Sequence, residues 1–214
     1  MLKEVMNVAV LVSGGGTNLQ AILDEQDRGN ITSGRVKLVI SDQKGAYALK
    51  RAEGHGIKAV TVARRECASQ KEFEEKIRQL ITENDIDLMV LAGFLSILSE
   101  DFTSRYPERI INIHPSLIPS FCGKGFYGLR VHEAALERGV RVSGATVHFV
   151  NEIPDGGRII FQKAVEVLDG DTPEVLQRRI MEQAEWKIFP MAVEKVCSDM
   201  LKEEKQCTST GQRT

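Results

Sequence analysis

Short apolar runs of strand length alternate, through the first half of the chain, with stretches whose apolar residues recur at helical spacing. Val8–Val12 is a near-continuous apolar run of the kind a strand buried on both faces shows, and Asn18–Arg28 follows with Leu19, Ile22 and Leu23 on one helical stripe. The pattern repeats as Val36–Ile40 with a helix through Tyr47–Glu53, then as Ala59–Val62 with a helix over Ser69–Glu83. Asp87–Leu91 and Arg109–Ile113 read as the fourth and fifth strands. Parallel strands need a crossover between them, and intervening helices supply it. The spacing therefore predicts an α/β fold with a mainly parallel, doubly wound (Rossmann-like) sheet and helices on both faces.

After the fifth strand the pattern changes. A helix over Leu129–Arg138 precedes two β-rich runs, Ala145–Val150 and Ile159–Leu168, joined by the turn residues Asn151–Gly157, which predicts a C-terminal antiparallel strand pair. A long last helix is expected from Pro173 to about Met200, capped by Asp171 or Thr172 and with proline in its first turn. Lys202–Thr214 is polar and aperiodic. The expectation is one domain over residues 1–200, large enough for a single well-cored body, and a flexible tail over 201–214.

Twenty-eight Lys and Arg against 30 Asp and Glu leave a net charge of -2, with no basic run to meet nucleic acid or an anionic membrane. Neither a signal-peptide core nor a membrane span is long enough to be found, so the cytoplasm is the expected compartment. Cys67, Cys122, Cys197 and Cys207 show no paired spacing, and neither a disulfide framework nor a metal site is expected.

The fifth strand ends abruptly in Asn112-Ile113-His114-Pro115, because proline fixes φ and removes a backbone donor. Asn112 and His114 are two apart and so point to one side of the strand, at the edge where open α/β sheets bind ligands. Asp155 precedes Gly156 and Gly157, a pair that lets the backbone turn tightly and present the carboxylate. A carboxamide, an imidazole and a carboxylate make a minimal acyl-transfer set: oxyanion donor, proton carrier and the acid that orients the ring. Asp155 as a plain turn aspartate is the other reading.

Ser13-Gly14-Gly15-Gly16-Thr17-Asn18 lies between the first strand and first helix, where backbone amides and the helix dipole attract an anion. Leu19 stands where the dinucleotide fingerprint has its third glycine, and no Gly-Lys-Ser/Thr ending makes a P-loop. A single phosphate at Gly16, Thr17 and Asn18 is the favoured reading, with a ligand-free turn as the other; Asp42 keeps a nucleotide site open. No G-x-S-x-G or HExxH occurs. His55 and His132 read as surface histidines, Ser116 as a loop-shaping hydroxyl, and His148 either faces the site or is a satisfied polar contact.

Residues 13–20, 91–98 (Leu-Ala-Gly-Phe-Leu-Ser-Ile-Leu), 112–119 (Asn-Ile-His-Pro-Ser-Leu-Ile-Pro) and 144–150 followed by Asp155-Gly-Gly resemble, in order, the phosphoribosylglycinamide formyltransferases. The resemblance implies transfer of a formyl group from 10-formyltetrahydrofolate to the amino group of glycinamide ribonucleotide in de novo purine biosynthesis, with no metal. It gives Asn112 the formyl oxygen, His114 the proton transfer, Asp155 the task of keeping His114 protonated, and Gly16, Thr17 and Asn18 the substrate phosphate. Glu182 and Glu185, on one face of the last helix, would meet the ribose and glycinamide portion. Leu95, Ser96, Ile97 and Leu98 with Asn151, Glu152, Ile153 and Pro154 would line the pterin pocket.

Two positions depart from the family: Gln70, with Lys71 beside it, and Ser96 stand where arginines commonly meet the folate's glutamate tail. The Ser120–Gly128 loop is longer than in some relatives and reads as a lid, an anion contact or an ordinary loop. The expected partners are the two small substrates, and the chain is expected to be a monomer or homodimer. A formyltetrahydrofolate hydrolase or methionyl-tRNA formyltransferase would use a similar residue set but carries a further domain for which this length leaves no room. A non-catalytic nucleotide-binding module is the rival from outside formyl chemistry.

Overall fold

A computed structural model describes residues 3–210. In chain order the elements begin β1 (Met6–Val12), α1 (Thr17–Asp27), β2 (Gly34–Ser41), α2 (Tyr47–Gly54), β3 (Lys58–Thr61), α3 (Gln70–Glu83) and β4 (Leu88–Leu91). They continue as α4 (Glu100–Thr103), β5 (Ile110–His114), α5 (Leu129–Arg138), β6 (Val142–Phe149), β7 (Ile159–Glu166), α6 (Pro173–Ile180), a π-helical stretch Met181–Glu185, and α7 (Trp186–Thr210). The chain divides into two compact units, one made of the residues up to Ser96 and those from Pro190 on, the other of Ile97–Phe189.

In the first unit β1 runs parallel to β2 and β4, and β2 parallel to β3, giving the order β3-β2-β1-β4. The chain works outwards from β1 to β3 and then returns to the other side of β1, so a topological switch point lies between β1 and β4. Val8 through Val12 are fully buried, as their unbroken apolar run predicts. Leu19, Ile22 and Leu23 of α1 and Phe73, Ile77 and Ile81 of α3 bury their helical stripes. Ser69 caps α3 by accepting from the Glu72 N–H at 3.1 Å. Glu194 of α7 accepts from the backbone N–H groups of Thr32 and Ser33, each at 2.8 Å, and ties that helix to the start of β2.

In the second unit β5 pairs antiparallel with β6, and β6 with β7. The mainly parallel strands with a C-terminal antiparallel pair thus follow the expected class. Val131 and Ala135 of α5, Leu176 and Ile180 of α6, and Ala145 and Val147 of β6 are fully buried.

Three expectations change. The last helix is broken in two by the π-helical stretch. Helical backbone runs on to Thr210, past the expected end near Met200 and through most of the segment read as a tail; residues 211–214 lie outside the described residues. His132, read as a surface histidine, is fully buried on α5.

Candidate active site

The site in the second unit is built on strand pairing. The β5–β6 register sets Asn112 opposite His148 and His114 opposite Thr146, and residues opposite one another in an antiparallel pair present their side chains to the same face. Asn112 Nδ2 lies 3.2 Å from His148 Nε2. Thr146 donates its hydroxyl to the Ser116 carbonyl at 2.7 Å and accepts from the Ile118 N–H at 3.1 Å, pinning the chain where it leaves β5. Ser116 is buried, and its hydroxyl donates to the Ser120 carbonyl at 2.6 Å, the loop-shaping part its sequence context suggested.

Asp155 arrives from the turn between β6 and β7. Asn151 opens this turn by accepting the Ile153 N–H at 3.1 Å, and the Gly156 N–H closes it on the Ile153 carbonyl at 2.9 Å. Asp155 itself takes φ 56°, a left-handed conformation that aspartate tolerates better than most residues. Gly157 has no alternative: a Cβ there would stand 1.7 Å from the Phe149 carbonyl oxygen. The carboxylate so placed has Oδ2 3.5 Å from His114 Nδ1 and Oδ1 3.5 Å from His148 Nε2, and Oδ2 also accepts the Gly123 N–H at 2.8 Å.

His114 is buried, and both of its ring nitrogens face acceptors: Nδ1 the Asp155 carboxylate, Nε2 the Phe121 carbonyl at 2.9 Å. Only the imidazolium satisfies both. Burial pushes the other way and wins, holding the imidazole below its ordinary value although Asp155 and the Phe121 carbonyl raise it. Asp155 is the reverse case: burial alone would raise its carboxyl, but the contact with His148, the charge of His114 and the Gly123 N–H hold it below the usual range. The task of keeping His114 protonated, which the resemblance gives to Asp155, is thus opposed by desolvation.

Glu182 and Glu185 differ in exposure. They fall in the π-helical stretch. Glu182 is exposed and accepts from Arg178 Nε at 2.8 Å, while Glu185 is only 6% exposed in a stretch packed against β6 and β7. Ile97 and Ile153 are 73% and 58% exposed, whereas Leu98 turns into the interior. Asn151 is half-buried; Glu152 and Pro154 are exposed.

The first unit carries the remaining predicted residues. Gly16 begins α1 in a left-handed conformation with no side-chain cap, and no acidic residue sits in the first turn, so the N–H groups of that turn keep their affinity for an anion. A Cβ at Gly14 or Gly15 would meet nothing within 4 Å, so packing does not require those glycines and the backbone there is open to close approach. The loop is braced from α2: the Ala48 N–H donates to the Gly14 carbonyl and Arg51 Nε to the Gly15 carbonyl, at 3.1 and 2.8 Å. Asn18 is buried. Leu95 is exposed, its N–H held by the Ser13 hydroxyl at 2.8 Å, and Ser96 donates its hydroxyl to Asp42 Oδ2 at 2.6 Å. Gln70, in the place of a tail-binding arginine, accepts from Arg64 Nε at 3.0 Å and donates to Glu74 at 2.6 Å.

Sequence reasoning undervalued His148, whose role depends on strand register, and missed Arg51 and the Phe121 and Gly123 backbone groups, which no residue type announces. Among the described residues no three His, Cys, Asp or Glu side chains gather as a metal would require.

Comparison with known proteins bears on the family of the chain. The trifunctional purine biosynthetic protein adenosine-3 of Gallus gallus is 42% identical over 193 residues, 90% of this chain but 18% of that protein's length. The phosphoribosylglycinamide formyltransferase of Escherichia coli is 39% identical over 212 residues, covering 97% of this chain and 95% of that one. The crystal structure of glycinamide ribonucleotide transformylase 1 from Symbiobacterium toebii superposes with a TM-score of 0.85 at 42% identity, covering 92% of this chain and 89% of that one. Residues 6–193, which hold both the glycine loop and the Asn112–His114–Asp155 set, match the formyl transferase family, and the chain belongs to that family.

Proposed function

We propose that this chain transfers the formyl group of 10-formyltetrahydrofolate to the amino group of glycinamide ribonucleotide, a step of de novo purine biosynthesis. The observation that carries the proposal is the meeting of Asn112, His114, His148 and Asp155 within 3.5 Å contacts at the end of β5. The names of the relatives that match most of their own length support the same reaction.

The exposed apolar side chains of Ile97 and Ile153 in the second unit suit contact with a flat pterin. When bound, the folate supplies an activated one-carbon unit at the level of formate. Gly16, Thr17 and Asn18 hold the phosphate of the acceptor through backbone N–H groups. Asn112 donates to the formyl oxygen as negative charge grows there under attack by the substrate amine. His114 carries a proton from that amine towards the departing nitrogen. It does so at Nε2, since Nδ1 is turned to Asp155, and the Phe121 carbonyl yields its place. One oxyanion donor is worth roughly 2.7–4 kcal/mol and a positioned acid–base group roughly 10²- to 10⁴-fold, with positioning of the two substrates supplying much of the rest.

The test is to mix the protein with 10-formyltetrahydrofolate and follow deformylated folate by absorbance with and without glycinamide ribonucleotide. Release that requires the amine is expected. Release without it makes the chain a hydrolase, and no release in either case overturns the proposal.

A further inference from the structure

The His148 ring has three polar neighbours, and they do not want the same thing from it. Nδ1 lies 2.8 Å from the carbonyl oxygen of Phe149, which only accepts, so Nδ1 carries a proton. In the neutral ring Nε2 then bears the lone pair. Its nearer neighbour is Asn112 Nδ2 at 3.2 Å, a donor; the further one is Asp155 Oδ1 at 3.5 Å, an acceptor. The neutral Nδ1–H ring satisfies the two nearer contacts together. If the carboxamide were turned the other way, with its oxygen towards the ring, Nε2 would need a proton as well, and a fully buried ring would have to hold a charge.

We propose that His148 is a positioning residue: by taking one N–H of the Asn112 carboxamide it fixes which end of that group is the donor and leaves the second N–H for the formyl oxygen. The inference rests on the formyl-transfer reading above. The reason is geometric. A terminal amide rotates through a broad twofold well, and half a turn would replace the donor by an oxygen that repels the developing oxyanion. Asn112 is only half-buried, and its bond to His148 is what prevents that turn. The Phe149 carbonyl, one residue along the same strand, in turn sets the histidine tautomer.

The experiment compares His148→Asn with His148→Gln. The asparagine amide is short and reaches the Phe149 carbonyl but leaves nothing at the Nε2 position. The glutamine carbonyl reaches that position and accepts from Asn112. His148→Asn is expected to lower kcat about 10- to 100-fold with KM for both substrates within about twofold, and His148→Gln to recover most of it. The side-chain amide 15N–1H signals of Asn112, assigned by their loss in Asn112→Asp, shift in His148→Asn and return towards their place in His148→Gln. Equal losses in both variants, a loss carried by KM, or unmoved Asn112 signals would overturn the inference. Should either variant fail to fold, the 15N shifts of the neutral wild-type ring decide: a protonated Nδ1 and bare Nε2 support the inference, and the opposite tautomer refutes it. A wild-type protein without amine-dependent formyl transfer would sink the functional reading, while the tautomer and amide signals would still judge the positioning.

Discussion

Nδ1 of His114 stands 3.5 Å from Oδ2 of Asp155, although one residue ends a strand and the other occupies a left-handed turn beyond the next strand. The carboxylate raises the imidazole against the larger, opposite effect of burial. Replacing Asp155 with Asn removes the opposing charge, so His114 titrates at lower pH than in the wild type. Ring signals followed by NMR across pH 4 to 8 check this. An unchanged or higher midpoint would show that the two groups are not coupled.

Asn112→Ala removes the proposed oxyanion donor, and turnover is expected to fall roughly 10²- to 10³-fold, with KM changed far less. His114→Ala removes the proposed proton carrier and is expected to cost about 10²- to 10⁴-fold. Steady-state kinetics on folded variants settles the point, and near-wild-type turnover in either refutes the assignment.

Gly157→Ala drives a Cβ to within 1.7 Å of the Phe149 carbonyl oxygen, backbone against backbone, where no side chain can step aside. The turn must move, carrying Asp155 with it. The expected loss is about 1–3 kcal/mol of stability in urea titration, together with turnover. A variant as stable and active as the wild type would mean that the turn relaxes freely.

Gly16→Ala strains the glycine loop of the first unit. Its φ of +71° disfavours any Cβ, and that atom would lie 2.6 Å from the Ala48 Cβ of α2. Thermal unfolding is expected to show a loss of roughly 1–3 kcal/mol, and KM for the phosphorylated acceptor should rise. An unaltered KM would separate the loop from phosphate binding.

Burial pushes the imidazole of His132 down to about 4 from an ordinary 6.5, with His114 adding to the effect. Because the folded value is the lower one, the unfolded chain binds this proton first. The stability is complete above pH 6.5 and drains away as pH falls towards 4, by about 3 kcal/mol at that lower end. Among the described residues neither ring nitrogen has a hydrogen-bond partner, so His132→Leu should fold well and flatten the slope between pH 6.5 and 4. Equal slopes in the two proteins would contradict the buried neutral ring.

The strands and most helices were legible because their signals are local. The unbroken run of Val8–Val12 and the stripes of α1 and α3 state a period that burial then obeys. The abrupt stop at Pro115 and the glycines around Gly16 were legible for the same reason, since each restricts its own backbone. The π-helical stretch was not. Nothing in Met181–Glu185 distinguishes it from an α-helix, although Pro190 shortly after it marks the region as irregular. His132 misled because a single polar residue on a helix has no period and gives no sign of which way its face turns.

From the order of residues alone came the alternation of strand and helix, the glycine loop as a candidate anion site, and the candidacy of Asn112, His114 and Asp155, all properties that a residue and its near neighbours impose on their own backbone. Tertiary structure decided what those residues meet: Asn112 with His148 through the register of β5 and β6, and Asp155 with both histidines through a turn that Gly157 alone permits; it also buried Glu185 and left Glu182 exposed. The physical reason is that periodicity and φ preference are local energies, whereas register, burial and the partners of a titratable ring follow from the summed packing of segments distant along the chain.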